Sequence, residues 1–151
     1  MLDEYEINSS TQAIIPIDQD RSMVYEEEAE YVVLKPSNKI IDYNCKFYGS
    51  SYIGRCEGTK SLVGIKTKYP IIIEESRNII FFPTSSTRSQ QTSWIALNKI
   101  KKYSKNRLNS YIIFNNNRKL KFNISLYSLE NQFYRANMLK SKLLERKLEE
   151  K

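Results

Sequence analysis

Tyr111-Ile112-Ile113-Phe114-Asn115-Asn116-Asn117-Arg118-Lys119-Leu120-Lys121-Phe122-Asn123-Ile124 decides the fold class, because two β-branched and aromatic runs flank three asparagines. Asn tolerates the positive φ of a tight turn, so the stretch predicts a β-hairpin with strands over 111–114 and 118–124. Directly after it, Leu126, Leu129, Phe133, Ala136, Leu139, Leu143 and Leu148 recur at the helical period, with Lys, Arg and Glu between them. That pattern predicts an amphipathic helix over 125–150 whose apolar stripe closes a core or, as the rival role, pairs with a second subunit. A hairpin leading into such a helix makes the chain α+β.

Working upstream, the runs at 62–69, 71–73 and 79–82 are β-branched and aromatic and predict strands, as does Trp94-Ile95-Ala96-Leu97. Between them, residues 83–92 are polar and rich in hydroxyls, a loop composition. Ile40, Ile41, Asn44, Cys45 and Tyr48 fall at helical spacing, predicting a short helix near 37–48 with Ser37 as its cap and Gly49 at the left-handed position beyond it. Ser50 or Ser51 can cap a further helical turn through Tyr52, Ile53 and Cys56, against the opposition of Gly54 and Gly58. Tyr31 to Leu34 reads as a strand stopped at Lys35-Pro36, with a hairpin from the preceding Met23-Val24-Tyr25, and 5–17 as one or two edge strands ended by Pro16.

Composition makes this a folded chain: 40% hydrophobic and 12% aromatic residues with only four Gly and four Pro exclude disorder and collagen-like repeats. Its 151 residues suit one domain, divided into an acidic segment 1–30, a basic strand-rich body 31–124 and the helix 125–150. The first thirty residues carry nine acids and one base, net −8, which leaves +15 on the remainder. A field of that sign gathers polyanions. No apolar run is long enough to span a bilayer, and the acidic start is unlike an export signal, so a cytoplasmic protein without membrane attachment is expected.

Enzymatic readings find little support. There is no histidine, and the two cysteines, Cys45 and Cys56, form no zinc-binding spacing, so free thiols without metal or other cofactor are expected. Gly49-Ser50-Ser51-Tyr52 lacks the nucleophile elbow, and the Gly54/Gly58 pair lacks the ending of a phosphate loop. Between Lys35 and Lys121, however, seventeen bases face four acids, interleaved with Tyr43, Phe47, Tyr48, Tyr52, Tyr69 and Tyr103. Those aromatics suit either stacking on unpaired bases, as in a single-strand or RNA-binding module, or burial in a core, which strand alternation favours. Arg55 and Arg88 stand among Gly and hydroxyl residues, where a guanidinium meets little obstruction to phosphate or a narrow groove; the competing role is to brace their own loops.

Phe47-Tyr48-Gly49-Ser50-Ser51-Tyr52-Ile53-Gly54-Arg55, then Phe82-Pro83-Thr84-Ser85-Ser86-Thr87-Arg88 with Trp94-Ile95, and Ser128-Leu129-Glu130-Asn131-Gln132-Phe133-Tyr134-Arg135 together resemble the ComK family. The apolar segment from Pro70-Ile71 to Phe82 resembles the family's central part. The resemblance implies a transcription activator of DNA-uptake genes that binds paired A/T-rich boxes of duplex DNA through the minor groove as a dimer or larger oligomer. It sets a DNA-binding candidate set of Arg55, Arg88, Lys46, Lys60, Lys66 and Lys68, with Lys99, Lys101, Lys102, Arg118 and Lys119 next in line. A proteolytic adaptor is a further family partner, reached through a tail that extends beyond the length of this sequence. A competence-factor-like partner in mixed oligomers is the alternative role. The sequence departs from the family at Thr92-Ser93, where a Gly commonly precedes the Trp.

Overall fold

The computed structural model describes residues 1–89 and 91–149. The elements run β1 (Thr11–Pro16), β2 (Ser22–Glu26), β3 (Glu30–Val33), α1 (Ser37–Phe47), α2 (Tyr52–Val63), β4 (Ile71–Glu74), β5 (Ile79–Pro83), β6 (Trp94–Ala96), a 3-10 turn (Leu97–Lys99), β7 (Ile100–Asn106), β8 (Asn109–Phe114), β9 (Lys119–Phe122) and α3 (Leu126–Glu149). Six strands form one antiparallel sheet in the order β3-β2-β1-β6-β5-β4, and β7-β8-β9 form a second. The fold is strand-rich α+β with a carboxy-terminal helix, as the hairpin and the periodic segment predict.

The six-stranded sheet is buried on both faces. Ile14, Val24, Ile71, Ile73, Phe81 and Trp94 pack against Ile40, Ile41 and Cys45 of α1. From the opposite face, Ala13, Ile72, Ile80, Phe82 and Ile95 meet Ile112, Phe114 and Phe122 of the second sheet and Leu129, Ala136, Leu139 and Leu143 of α3. This sandwiching explains why 71–73 and 79–82 are apolar without alternation: a strand covered on both sides has no solvent face to supply the polar half of the pattern. Each fully buried Ile or Phe contributes roughly 1.5–3 kcal/mol of transfer free energy. The terminal helix closes this second core, the first of its two expected roles.

The acidic opening segment is part of this framework. β1 pairs with β2 on one side and β6 on the other, so the 5–17 segment lies inside the sheet and not at the edge expected for it; Ala13 and Ile14 are fully buried, which an edge strand ended by a proline does not require. The β2–β3 hairpin follows, with Tyr25 opposite Glu30. The 111–124 hairpin forms as β8 and β9, with Asn117 at φ +69° in its turn. Cys45 is buried in the first core, where desolvation pushes its thiol pKa up to about 12, and Cys56 packs against that core; both are free thiols.

Two further expectations need correction, and one strand goes beyond them. Residues 62–69 form no strand: Leu62 and Val63 end α2, and Gly64 stops it in the left-handed conformation at φ +74°, which a side chain would strain. Beyond it Ile65 is buried, Tyr69 packs partly on the first core, and the segment's carbonyls at Thr67 and Lys68 accept from Arg135 and Gln132 of α3 instead of a neighbouring strand. Ser37 does not cap α1; Pro36 occupies that position, and the Ser37 hydroxyl donates to the Thr92 carbonyl at 2.6 Å. Finally, the second sheet gains β7, which the composition Ile-Lys-Lys-Tyr-Ser-Lys-Asn gave no reason to expect as a strand.

Candidate nucleic-acid interface

The turn from α1 to α2 builds one wall. Gly49 adopts φ +87°, and the N–H groups of Gly49 and Ser50 donate to the carbonyls of Lys46 and Cys45, closing the end of α1. Ser51 then caps α2, its Oγ accepting from the Gly54 N–H at 3.0 Å, while the Asp42 carboxylate accepts from the Tyr52 N–H at 2.9 Å. Burial opposes ionisation of Asp42, but the Tyr52 N–H and the Lys46 ammonium at 3.1 Å outweigh it and hold the carboxyl below its ordinary pKa.

The polar loop after β5 is fixed to that wall by side chains. Asn38 of α1 donates to the carbonyls of Thr87 (3.1 Å) and Ser89 (3.3 Å) and accepts from the indole N–H of Trp94 (2.9 Å). The Tyr52 hydroxyl donates to Thr87 Oγ1 at 3.1 Å, and its ring meets Trp94 edge-on at 6.0 Å. Inside the loop, the buried Thr92 hydroxyl lies 3.1 and 3.0 Å from the carbonyls of Ser86 and Ser89. Neither Thr92 nor Ser93 has a positive φ, so the backbone here does not need the glycine of the family pattern.

This scaffold holds Arg88 exposed beside a cleft of about 540 Å³ lined also by Gln19, Asp20, Pro36, Asn38 and Lys39. Among the described residues Arg88 makes no ion pair. Arg55 is placed differently. It is half-buried on α2, its Nη2 lies 3.5 Å from the Tyr48 carbonyl, its buried Nε has no partner among the described residues, and it lines a separate cleft with Glu74, Glu75, Ser76 and Lys147. In that cleft Glu74 accepts from the Ser76 hydroxyl and from Arg77, which bring its pKa down to about 2.

Residues 2–148 match the family model described as ComK protein. The chain belongs to the ComK family. The competence transcription factor of Bacillus subtilis (strain 168) is 34% identical over 149 residues, covering 96% of this chain and 78% of the relative. No solved structure matches the chain. The three blocks that resemble the ComK family fall on the α1–α2 turn, on the Arg88 loop and on the part of α3 where Gln132 donates to the carbonyls of Lys68 and Pro83, so the family pattern follows the side chains that fix irregular backbone.

The remaining candidates are dispersed. Lys46 is exposed and paired with Asp42; Lys60 is exposed in the last turn of α2; Lys66 and Lys68 are exposed on the following loop, Lys68 at φ +49°. Of the reserve candidates, Lys99 pairs with Glu27, and Arg118 reaches Glu30, the Glu26 carbonyl, Gln12 and the Tyr25 ring, so both bind the acidic hairpin. Among the aromatics, Tyr48, Tyr52 and Tyr69 pack on the first core and Tyr103 on the second, while Phe47 remains exposed. Among the described residues no group of three His, Cys, Asp or Glu could hold a metal, and no helix is long and apolar enough to cross a membrane.

Proposed function

We propose that this ComK-family chain regulates transcription of competence genes by binding A/T-rich duplex DNA, with the Arg88 loop directed into the minor groove. The observation that carries the reading is the exposed Arg88, without an ion pair among the described residues, flanked by Thr87 and Ser89, which α1 and α2 hold by side-chain hydrogen bonds. A narrow A/T groove concentrates negative potential, and a guanidinium loses less hydration than an ammonium on entering it. Arg55 contributes phosphate contact from the donors its Tyr48 bond leaves free, and Lys60, Lys66 and Lys68 add charge along the exposed end of α2 and the loop after it. Lys46 adds less, because Asp42 already neutralises it.

Partial burial of Tyr48, Tyr52 and Tyr69 against the core withdraws three of the aromatics interleaved with the bases from base stacking, which favours the duplex reading over a single-strand module. Self-association has its own support: α3 leaves Tyr127, Tyr134, Met138 and Leu148 exposed, and Tyr134 and Met138 share a groove of about 490 Å³ with Leu62 and Val63. The test of DNA recognition is affinity for A/T duplex, G/C duplex and single strand at several salt concentrations. Preference for the A/T duplex is expected, with the logarithm of the binding constant falling by roughly 0.9 per logarithmic unit of salt for each phosphate neutralised. Stronger binding to the single strand would sink the reading. Oligomerisation is tested by ultracentrifugation of Tyr134→Glu/Met138→Glu, which is expected to sediment as a smaller species.

A further inference from the structure

The outer face of the second sheet carries two of the reserve candidates, Lys102 and Lys119, and its register adds Lys121 to them. Lys102, Ile113 and Lys119 form one cross-strand row, and Ser104, Tyr111 and Lys121 form the next. By strand geometry Lys102 and Lys119 flank β8 at about 10 Å, and Lys119 and Lys121 stand about 7 Å apart along β9. All three lysines are exposed, and among the described residues none makes a hydrogen bond or ion pair to a side-chain or backbone oxygen. No Asp or Glu lies between Glu75 and Glu130 in the sequence, so no strand of this sheet supplies a counter-charge. Glu27 and Glu30 of the hairpin that Asn116 and Arg118 reach are engaged by Lys99 and Arg118.

We infer that this face is a second DNA-contacting surface, which takes the phosphate backbone of the same duplex that the Arg88 loop enters. The inference rests on the duplex-binding reading above. Three further observations select the partner. The Lys119 ammonium lies 4.2 Å from the centroid of the Tyr111 ring, so the aromatic on this face is already covered by a cation and offers no platform for an unpaired base. The face presents ammonium groups with Ser104 in the row of Lys121 and the Asn106–Asn109 pair in the row beyond, a set that meets phosphate and sugar without reading sequence. The face is also continuous with the Arg88 loop: Lys121 and Asn123 form one wall of a cleft of about 400 Å³, and Thr84, Ser85 and Ser93 of the loop form the other.

The experiment uses the full chain in four forms: wild type, Lys102→Gln/Lys119→Gln/Lys121→Gln, the charge-retaining Lys102→Arg/Lys119→Arg/Lys121→Arg, and a control of equal charge loss, Lys105→Gln/Lys140→Gln/Arg146→Gln. Binding to an A/T-tract duplex is followed against salt, with thermal melting to monitor the fold. The Gln face variant is expected to reduce the magnitude of the salt slope by about 2–3 while keeping its preference for A/T over G/C; the Arg variant restores the slope, and the control changes it by less than about one. An unchanged slope in the Gln face variant, or an equal fall in the control, overturns the inference. So does a larger loss on single-stranded than on duplex DNA. If the wild type shows no A/T preference, the groove reading fails, and the slope comparison on duplex DNA still decides the role of the face.

Discussion

The Arg88 loop and the outer face of β7–β9 solve the placement of positive charge in opposite ways. The loop lacks regular backbone pairing, so its shape depends on Asn38, Tyr52 and Thr92 side chains, and it delivers a single exposed guanidinium. The sheet takes its shape from the backbone ladder; its lysines make no ion pair among the described residues, and it delivers three ammonium groups in two rows. Fixed geometry with one charge suits discrimination, whereas several mobile charges suit attraction. The difference teaches that specificity and affinity can be sought in separate parts of the molecule.

Trp94→Ala offers the largest perturbation. It removes a fully buried ring from an interior strand and frees Asn38, so a loss of about 3–5 kcal/mol in urea unfolding is expected, with loop and sheet collapsing together. Asn38→Ala sharpens the contrast, because it unties the loop and leaves the sheet alone. A stability loss of about 1–3 kcal/mol is expected, with faster amide exchange confined to the loop and a salt slope equal to wild type. Arg88→Ala is expected to cost about 1–3 kcal/mol of A/T-duplex affinity at unchanged melting temperature, with the A/T preference reduced. Arg55→Ala, by contrast, is expected to lower both affinity and melting temperature, since part of its guanidinium holds the Tyr48 carbonyl.

The smallest effect concerns Asp42 on the loop's side of the molecule. Its folded pKa is depressed, so its stabilisation is complete above the ordinary value of 3.8 and is lost as pH falls through the lower folded value. Solvent screening at this partly exposed group keeps the contribution below about 1 kcal/mol. Unfolding of wild type and Asp42→Asn is expected to differ at neutral pH and to converge in acid. A difference that persists below the folded pKa would make the cap a matter of shape instead of charge.

Periodicity made the terminal helix and the 111–124 hairpin legible, because both have one dry side and one wet side. The same rule misled at 62–69, where β-branched residues follow a helix whose end is set by Gly64 and by hydrogen bonds from α3, a tertiary cause that local composition does not contain. β7 was hidden for the reverse reason: its outward lysines and serine dilute the two apolar residues, Ile100 and Tyr103, that pack against the second core. Arg88 was singled out by its hydroxyl-rich neighbours, and those hydroxyls do build its loop. The sheet-face lysines needed register to be seen as a group, since Lys102 and Lys119 are far apart in sequence and adjacent only across β8.

The central pairing of β1 with β6 sets an order on synthesis. Ala13 meets Ile95, so β1 leaves the ribosome with only its β2 edge satisfied and waits for some eighty further residues before its other edge is covered, an interval of several seconds at about 5–20 residues per second. An unpaired strand edge invites pairing with another chain. During that interval the nascent segment carries its own net charge of −8, and two such segments on neighbouring ribosomes repel each other. The acids that bind Lys99 and Arg118 in the folded chain thus stand beside the edge that stays open longest, and the basic residues that arrive last tie that segment into the molecule.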